Sequence, residues 1–514
     1  MLAATRKNSG KNARNHARNH ARNHARPNSF RGALFFWGVL FGLTFCPGGL
    51  AYVSASPRVD PALENWLQAE YTFSIQILEK HISPLGALPG VVIASPQKAD
   101  HDYFRFWVRD AALVMDVYAR WYERAAAAAE RQRLLRRLMD YAELSRRQQL
   151  TPNPSGAADG SGLGEPLFEI DGRPFDRGWG RPQNDGPALR AITLIKFSRQ
   201  LLLEGRCELV ASLYDGRFPS QSVIKVDLEY VANHWREPCF DLWEEINGKH
   251  FYTRMVQRKA LIEGAALADI LGDGFAANWY RTQANALAME IGRHWNSEGR
   301  FILATLDRVG GLDSKSSNLD TSVILALLHG DVGNGFFAAR NDYALATVVR
   351  LMDAFTELYA INRELNTKQS LGPGMGRYPE DRYEGSGPND GGNPWVLLTF
   401  GVAEYFYRVA ADLKRTERVN IDALNFAFLS RVAPGLQLRL GDRIMSDEPR
   451  FQILLNGIKE SGDSFLRRVQ KHTAGSLHLS EQFNRRTGKM QSAQDLTWNY
   501  AAFVTVMAAR NEIR

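Results

Sequence analysis

From residue 61 the chain reads Pro-Ala-Leu-Glu-Asn-Trp-Leu-Gln-Ala-Glu-Tyr-Thr-Phe-Ser-Ile-Gln-Ile-Leu to residue 78, with Leu63, Trp66, Leu67, Tyr71, Ile75 and Leu78 recurring at intervals of three and four. That spacing lays one apolar stripe along a helix. It returns at 111–121, 131–144, 187–203, 223–234, 252–271, 276–295, 321–328, 343–365, 394–413, 419–432, 464–473 and 496–510. The expectation is an all-α protein of roughly a dozen helices, with hardly any alternating β-branched strand. Three long connectors rich in Gly, Pro and Asn interrupt the helices, at 151–184, 371–393 and 475–494. Loops of this length are uncommon in compact domains and are often functional. No Ser/Thr- or Pro-rich linker divides the region, so residues 56–514 are read as one large helical domain with a loop-built face.

Charge and composition narrow the class. The net charge is +7, but residues 1–55 hold eight Lys or Arg and no Asp or Glu. The remainder carries 55 basic and 56 acidic residues, a net of −1. The basic character therefore belongs to the leader, and nothing in the rest makes an electrostatic case for nucleic acid. Within the leader, Ala-Arg-Asn-His repeats at Ala13, Ala17 and Ala21, a low-complexity pattern that cannot build a core. An apolar run from Gly32 to Leu50 follows, and then Val53-Ser54-Ala55. A basic stretch, an apolar stretch and a small-x-small site describe a secretory signal peptide cleaved near Ala55, with an uncleaved membrane anchor as the alternative. Pro47, Gly48 and Gly49 favour cleavage, since they break the helix that a membrane span needs. The expected location is secreted or periplasmic, with no stable membrane contact once the leader is removed. Cys207 and Cys239 then remain, either as a pair or as two separate thiols. No cluster has metal-ligand spacing, so neither metal nor cofactor is expected.

The candidate chemistry lies in the connectors. Phe240-Asp241-Leu242-Trp243-Glu244-Glu245-Ile246-Asn247-Gly248 sets two adjacent carboxylates beside a tryptophan. Neighbouring carboxylates raise one another's pKa, and an indole supplies both a low-dielectric wall and a surface for a sugar ring. A Glu-Glu pair alone is more often a solvated helix face. Four further stretches, however, combine Trp or Tyr with acid, the first three with Arg as well: 103–110, 179–187, 376–383 continuing to 392–395, and 480–483 followed by 495–500. Each precedes a helix, so all can project from one end of a helical barrel. Arginine and carboxylate clamp sugar hydroxyls while aromatic rings stack on the sugar. Each stretch alone reads as a cap or a turn, yet such readings do not predict one composition on loop after loop.

From about residue 62 onward the chain resembles the fungal-type glucoamylases of glycoside hydrolase family 15. The resemblance rests on Trp107-Val108-Arg109-Asp110, Gly164-Glu165-Pro166, 179–190, 241–248, Val256-Gln257, 376–381, Asn393-Pro394-Trp395, Ser480-Glu481-Gln482 and 495–500. It implies an (α/α)6 barrel and an inverting exo-hydrolase that removes glucose from non-reducing ends of α-1,4-glucans, with Glu244 as general acid and Glu481 as general base. It also implies that Tyr103, Trp107, Arg109, Asp110, Trp179, Glu245, Arg377, Glu380, Tyr383 and Trp498 line the first sugar subsites. Arg181 and Trp395, from the same loops, join them as substrate-binding candidates. The sequence neighbours Trp243 and Glu245 are expected to hold a proton on Glu244, and Ser480 and Gln482 to keep Glu481 ionised. The segment 384–392 is longer than expected of the family, and no starch-binding module is expected. The partner is then an α-glucan or maltooligosaccharide, acted on by a monomer. A relative acting on trehalose, isomaltose or dextran, and a non-catalytic glycan-binding toroid, are the alternatives.

Overall fold

The structure, a computed structural model, describes residues 60–99, 102–363, 370–385 and 391–513. They fall within one compact unit, Ala55–Arg514. The leader and residues 386–390 of the long insertion lie outside the described residues. Among the described residues no helix is long and apolar enough to cross a membrane.

The helices are α1 (Pro61–His81), α2 (Val108–Arg124), α3 (Ala128–Gln149), α4 (Asp185–Leu203), α5 (Cys207–Leu213), α6 (Val223–His234), α7 (Phe251–Ile270), α8 (Gly274–Gly292), α9 (Ser322–His329), α10 (Asp342–Leu358), α11 (Val396–Lys414), α12 (Phe426–Val432), α13 (Pro449–His472) and α14 (Thr497–Glu512). The quoted opening stretch is α1: Asp60 caps it by accepting the N–H groups of Ala62 and Leu63, and Pro61 occupies the first turn.

Six helices pack side by side in a closed ring, in the order α2, α4, α7, α9, α11, α14 and back to α2. Outside them α3, α8, α10, α13 and α1 each pack against one inner helix, and α6 packs against two, α4 and α7. This is an (α/α)6 barrel. The two layers differ as their positions require. Every residue of α11 from Val396 to Tyr407 is buried, which is how a helix surrounded by other helices must read. The outer α8 buries a single stripe, Ala276, Ala277, Tyr280, Ala284, Leu287 and Ile291, and leaves Phe275 and Met289 in solvent.

Several elements depart from the sequence reading. Helix α13 begins at Pro449 rather than 464. Two glycines that look like breakers instead allow close packing: a Cβ on Gly457 would lie 2.0 Å from the Val432 carbonyl oxygen, and one on Gly462 would lie 2.5 Å from Tyr407. The expected helix 419–432 is a strand, Arg418–Asn420, paired with Arg443–Met445, followed by the shorter α12. There Asp422 accepts the N–H groups of Leu424 and Asn425 and turns the chain. The helix from 343 stops at Leu358 and continues as one tight turn, Ala360–Arg363. Helix α5 and a three-stranded antiparallel sheet of Cys239–Phe240, Ile246–His250 and Thr305–Gly311 also lie beyond the expected elements. Cys207 is exposed and Cys239 buried, two separate thiols.

Candidate active site

All six inner helices begin at the same end of the barrel, and the long loops gather there. They enclose a pocket of about 570 Å³. Both expected catalytic carboxylates face it. So do Tyr103, Trp107, Arg109, Asp110, Trp179 and Glu245 from the first half of the chain, and Arg377, Tyr383, Trp395 and Trp498 from the second. The closed ring is what brings residues so distant in sequence to one cavity.

Glu244 projects from a turn between the first two strands of the small sheet. Its own φ is +68°, in the left-handed region that costs a non-glycine residue about 1 kcal/mol or more. The consequence is that its side chain parts company with those of its sequence neighbours. Trp243 turns to Asp320, donating its indole N–H at 3.1 Å to both carboxylate oxygens. Glu245 accepts from Arg377 at 2.8 Å and from the Tyr378 hydroxyl at 2.6 Å. The expectation that Trp243 and Glu245 hold a proton on Glu244 is therefore corrected. Trp107 donates to Glu244 at 2.9 Å, and Arg109 lies 3.6 Å from the same oxygen. Burial pushes the Glu244 pKa up, opposed first by the charge of Arg109.

Arg109 is no local partner of Asp110 alone. Its guanidinium donates to Gln183 at 2.8 Å and to Asp185 at 3.1 Å, at the start of α4. Asp110 is pushed up to about 7 by burial, with Arg109 pulling the other way. Gly180 lets the second loop press against the acid turn, since a Cβ there would sit 2.5 Å from the Glu244 carbonyl oxygen.

Glu481 stands at the start of a hairpin, Gln482–Phe483 paired with Met490–Gln491. It accepts from the Tyr103 hydroxyl at 2.9 Å, from Ser492 at 2.5 Å and from the Gln482 amide at 3.0 Å. The Tyr383 hydroxyl, 2.5 Å from that of Tyr103, completes the chain as its donor. Burial raises the Glu481 pKa, and the hydrogen bonds from Ser492 and Tyr103 counter it. The polar company expected from Ser480 thus comes from Ser492, across the hairpin.

The two carboxyls are linked by an aromatic bridge. Tyr103 and Trp107 stack with centroids 5.8 Å apart; the phenol holds Glu481 and the indole holds Glu244. Trp179 meets Trp107 edge-on at 6.0 Å toward the partly exposed mouth. On the opposite wall Arg377 makes a paired contact with Asp381, at 2.8 and 2.6 Å, beneath the rings of Trp243, Tyr383 and Trp395.

Two expected site residues do not line the pocket. Arg181 pairs with the buried Glu165 at 3.0 Å and bonds the carbonyls of Phe175 and Arg177, so it shapes its own loop. Glu380 accepts the Ser317 N–H at 2.7 Å and its hydroxyl at 3.0 Å, anchoring the loop before α9. Conversely Ser492, Tyr378, Asp381, Gln183 and Asp185 all touch a pocket residue. Gln183 and Asp185 lie within the quoted 179–187 stretch and Tyr378 and Asp381 within 376–383, whereas nothing local in the sequence marks Ser492.

Comparison with known proteins agrees with this geometry. The family model described as "Glycosyl hydrolases family 15" matches residues 70–508. A glucoamylase of Blastobotrys adeninivorans is 38% identical over 472 residues, covering 90% of this chain and 74% of its own length. Glucoamylase 1 of Rhizopus oryzae is 36% identical over 454 residues, 88% of this chain and 72% of the relative. Among solved structures, a glucoamylase from Saccharomycopsis fibuligera superposes with a TM-score of 0.79 at 31% identity, covering 90% of this chain and 98% of that one. Barrel, pocket and kinship converge, and the chain belongs to family 15 of the glycosyl hydrolases.

Proposed function

We propose that this protein is an inverting, exo-acting glucan 1,4-α-glucosidase, a glucoamylase, that releases β-glucose from the non-reducing ends of starch, glycogen or maltooligosaccharides. The observation that carries the reading is the pair Glu244 and Glu481, facing one pocket from the two ends of the Tyr103–Trp107 stack. Inversion needs an acid on one side of the scissile bond and a base holding water on the other, with carboxyls about 6.5–9.5 Å apart. Glu244 gives its proton to the glycosidic oxygen as the C1–O bond breaks. Glu481 takes a proton from the water that attacks C1 from the opposite face. Arg109, at 3.6 Å, stabilises the carboxylate that forms on Glu244 during the step. Tyr103, Trp107, Trp179, Tyr383, Trp395 and Trp498 offer stacking and hydroxyl contacts to the first sugar rings, while Asp110, Glu245 and Arg377 clamp their hydroxyls.

The test is to follow the anomeric protons released from maltotetraose by NMR. Early β-glucose supports substrate class, exo action and inversion together; early α-glucose overturns the mechanism. We further propose that residues 1–55 are a secretory leader and that the mature enzyme acts as a monomer. N-terminal sequencing of protein recovered from the medium, and its elution volume, check these two points.

A further inference from the structure

Behind the acid turn, out of reach of the pocket, lies a buried cation with two carboxylates. Lys315 sits in the loop between the strand Thr305–Gly311 and α9, 3.2 Å from Asp241 and 2.5 Å from Asp320, with its ammonium 4.3 Å above the Tyr378 ring. Each of these partners holds one side of the turn that carries Glu244. Asp241 accepts the N–H of Glu245 at 2.8 Å and of Ile246 at 3.1 Å, and its carbonyl accepts the N–H of Glu244 at 2.8 Å. Asp320 holds the Trp243 indole, and Tyr378 holds the Glu245 carboxylate. Residue 244 is thus kept in its left-handed conformation because residues 243 and 245 are both tied to one cluster, and the cluster has Lys315 at its centre.

We propose that Lys315 is a positioning residue for proton donation: bridging Asp241 and Asp320, it fixes the turn that aims the Glu244 carboxyl into the pocket. The physical reason is that two carboxylates cannot stay buried and ionised side by side without a cation between them. Remove the charge and one carboxylate takes up a proton or leaves the cluster, loosening the flanks of a turn whose conformation is costly by itself. The inference rests on the reading of Glu244 as general acid.

The experiment compares maltose, whose leaving oxygen needs a proton, with α-glucosyl fluoride, whose fluoride leaves as a stable anion without one. Lys315→Met, Lys315→Arg and Glu244→Gln are assayed together with the unaltered enzyme. Loss of aimed proton donation slows Lys315→Met about 100-fold on maltose and leaves its kcat on α-glucosyl fluoride within about threefold of the parent, a ratio that a generally loosened fold does not produce. Lys315→Arg, which keeps the charge, recovers most of the maltose rate. Equal losses on the two substrates, or no loss on maltose, overturn the proposal. If Lys315→Met does not accumulate as folded protein, Asp320→Asn reads the same ratio from the other side of the cluster, and equal losses there overturn it too. The Glu244→Gln control separates the two levels. If it slows both substrates equally, the acid assignment fails and the inference with it. If it is selective while Lys315→Met is not, only the role of Lys315 is overturned.

Discussion

The turn bearing Glu244 and the hairpin bearing Glu481 deliver the same functional group to the same pocket by opposite means. The Glu244 turn has a left-handed residue at its tip, buried charges behind it and a guanidinium beside the carboxyl. The Glu481 hairpin has its left-handed residue across the ladder, at Ser492, and its carboxyl is held by neutral donors, two hydroxyls and one amide. The difference follows from how the charge on each group changes. A general acid becomes negative as the reaction proceeds, so a nearby cation is worth more in the transition state than before it. A general base starts negative and must be solvated without losing its ability to take a proton, which neutral donors accomplish.

The largest effects test whether both carboxyls are essential. Glu244→Gln and Glu481→Gln should each lower kcat on maltotetraose by about 10³-fold or more, measured by glucose release; near-parent turnover in either removes that residue from the mechanism. Arg109→Met sharpens the contrast. It should lower kcat by about 100-fold, while an effect confined to KM would mean that Arg109 only binds sugar.

Smaller changes should move the two limbs of the rate profile separately. The base must be ionised and the acid protonated, so kcat/KM rises with pH through the Glu481 pKa and falls through that of Glu244. Ser492→Ala removes a donor that lowers the Glu481 pKa, so the acidic limb should move to higher pH and narrow the bell. Trp107→Phe removes a donor that lowers the Glu244 pKa, so the alkaline limb should move to higher pH and widen it. If instead Ser492→Ala moves the alkaline limb and Trp107→Phe the acidic one, acid and base have been assigned the wrong way round.

The smallest effect concerns a carboxyl with no part in the chemistry. Glu70, buried in α1, is pushed up to about 8 by burial and holds its proton in the folded state. Its folded pKa is raised, so stability falls as pH climbs from the unfolded value near 4.5 toward 8. Glu70→Gln should therefore raise Tm by a few degrees at pH 8 and leave it unchanged at pH 4.

The sequence exposes this site well because recognition of sugars uses rare residues. Trp107, Trp179, Arg377 and Trp498 stand out from any helix periodicity, and each lies on a loop or at a helix start. What it hides is direction. Trp243, Glu244 and Glu245 are consecutive, yet the left-handed backbone at Glu244 sends their side chains to three different partners, and no spacing rule foretells that. Arg181 and Glu380 belong to the right loops but are spent on Glu165 and Ser317. Ser492 acts across a hairpin, where only the register of Gln482 with Gln491 brings it to Glu481. The fold shows the same split: the inner ring is legible from its apolar periodicity, whereas α13 is obscured by glycines that serve close packing.

The common starting end of the six inner helices has an electrostatic consequence. Each helix N-terminus carries roughly half a positive charge from its unpaired N–H groups. Six of them surround a cavity containing or bordered by Asp110, Asp185, Glu244, Glu245, Asp320, Asp381 and Glu481. Such a crowd of buried carboxyl groups would be costly in an apolar cavity, even with Arg109, Arg377 and Lys315 paired among them. The barrel itself is thus a distributed counter-ion, and the polarity of the ring decides which of its two mouths can host acid–base chemistry on sugars.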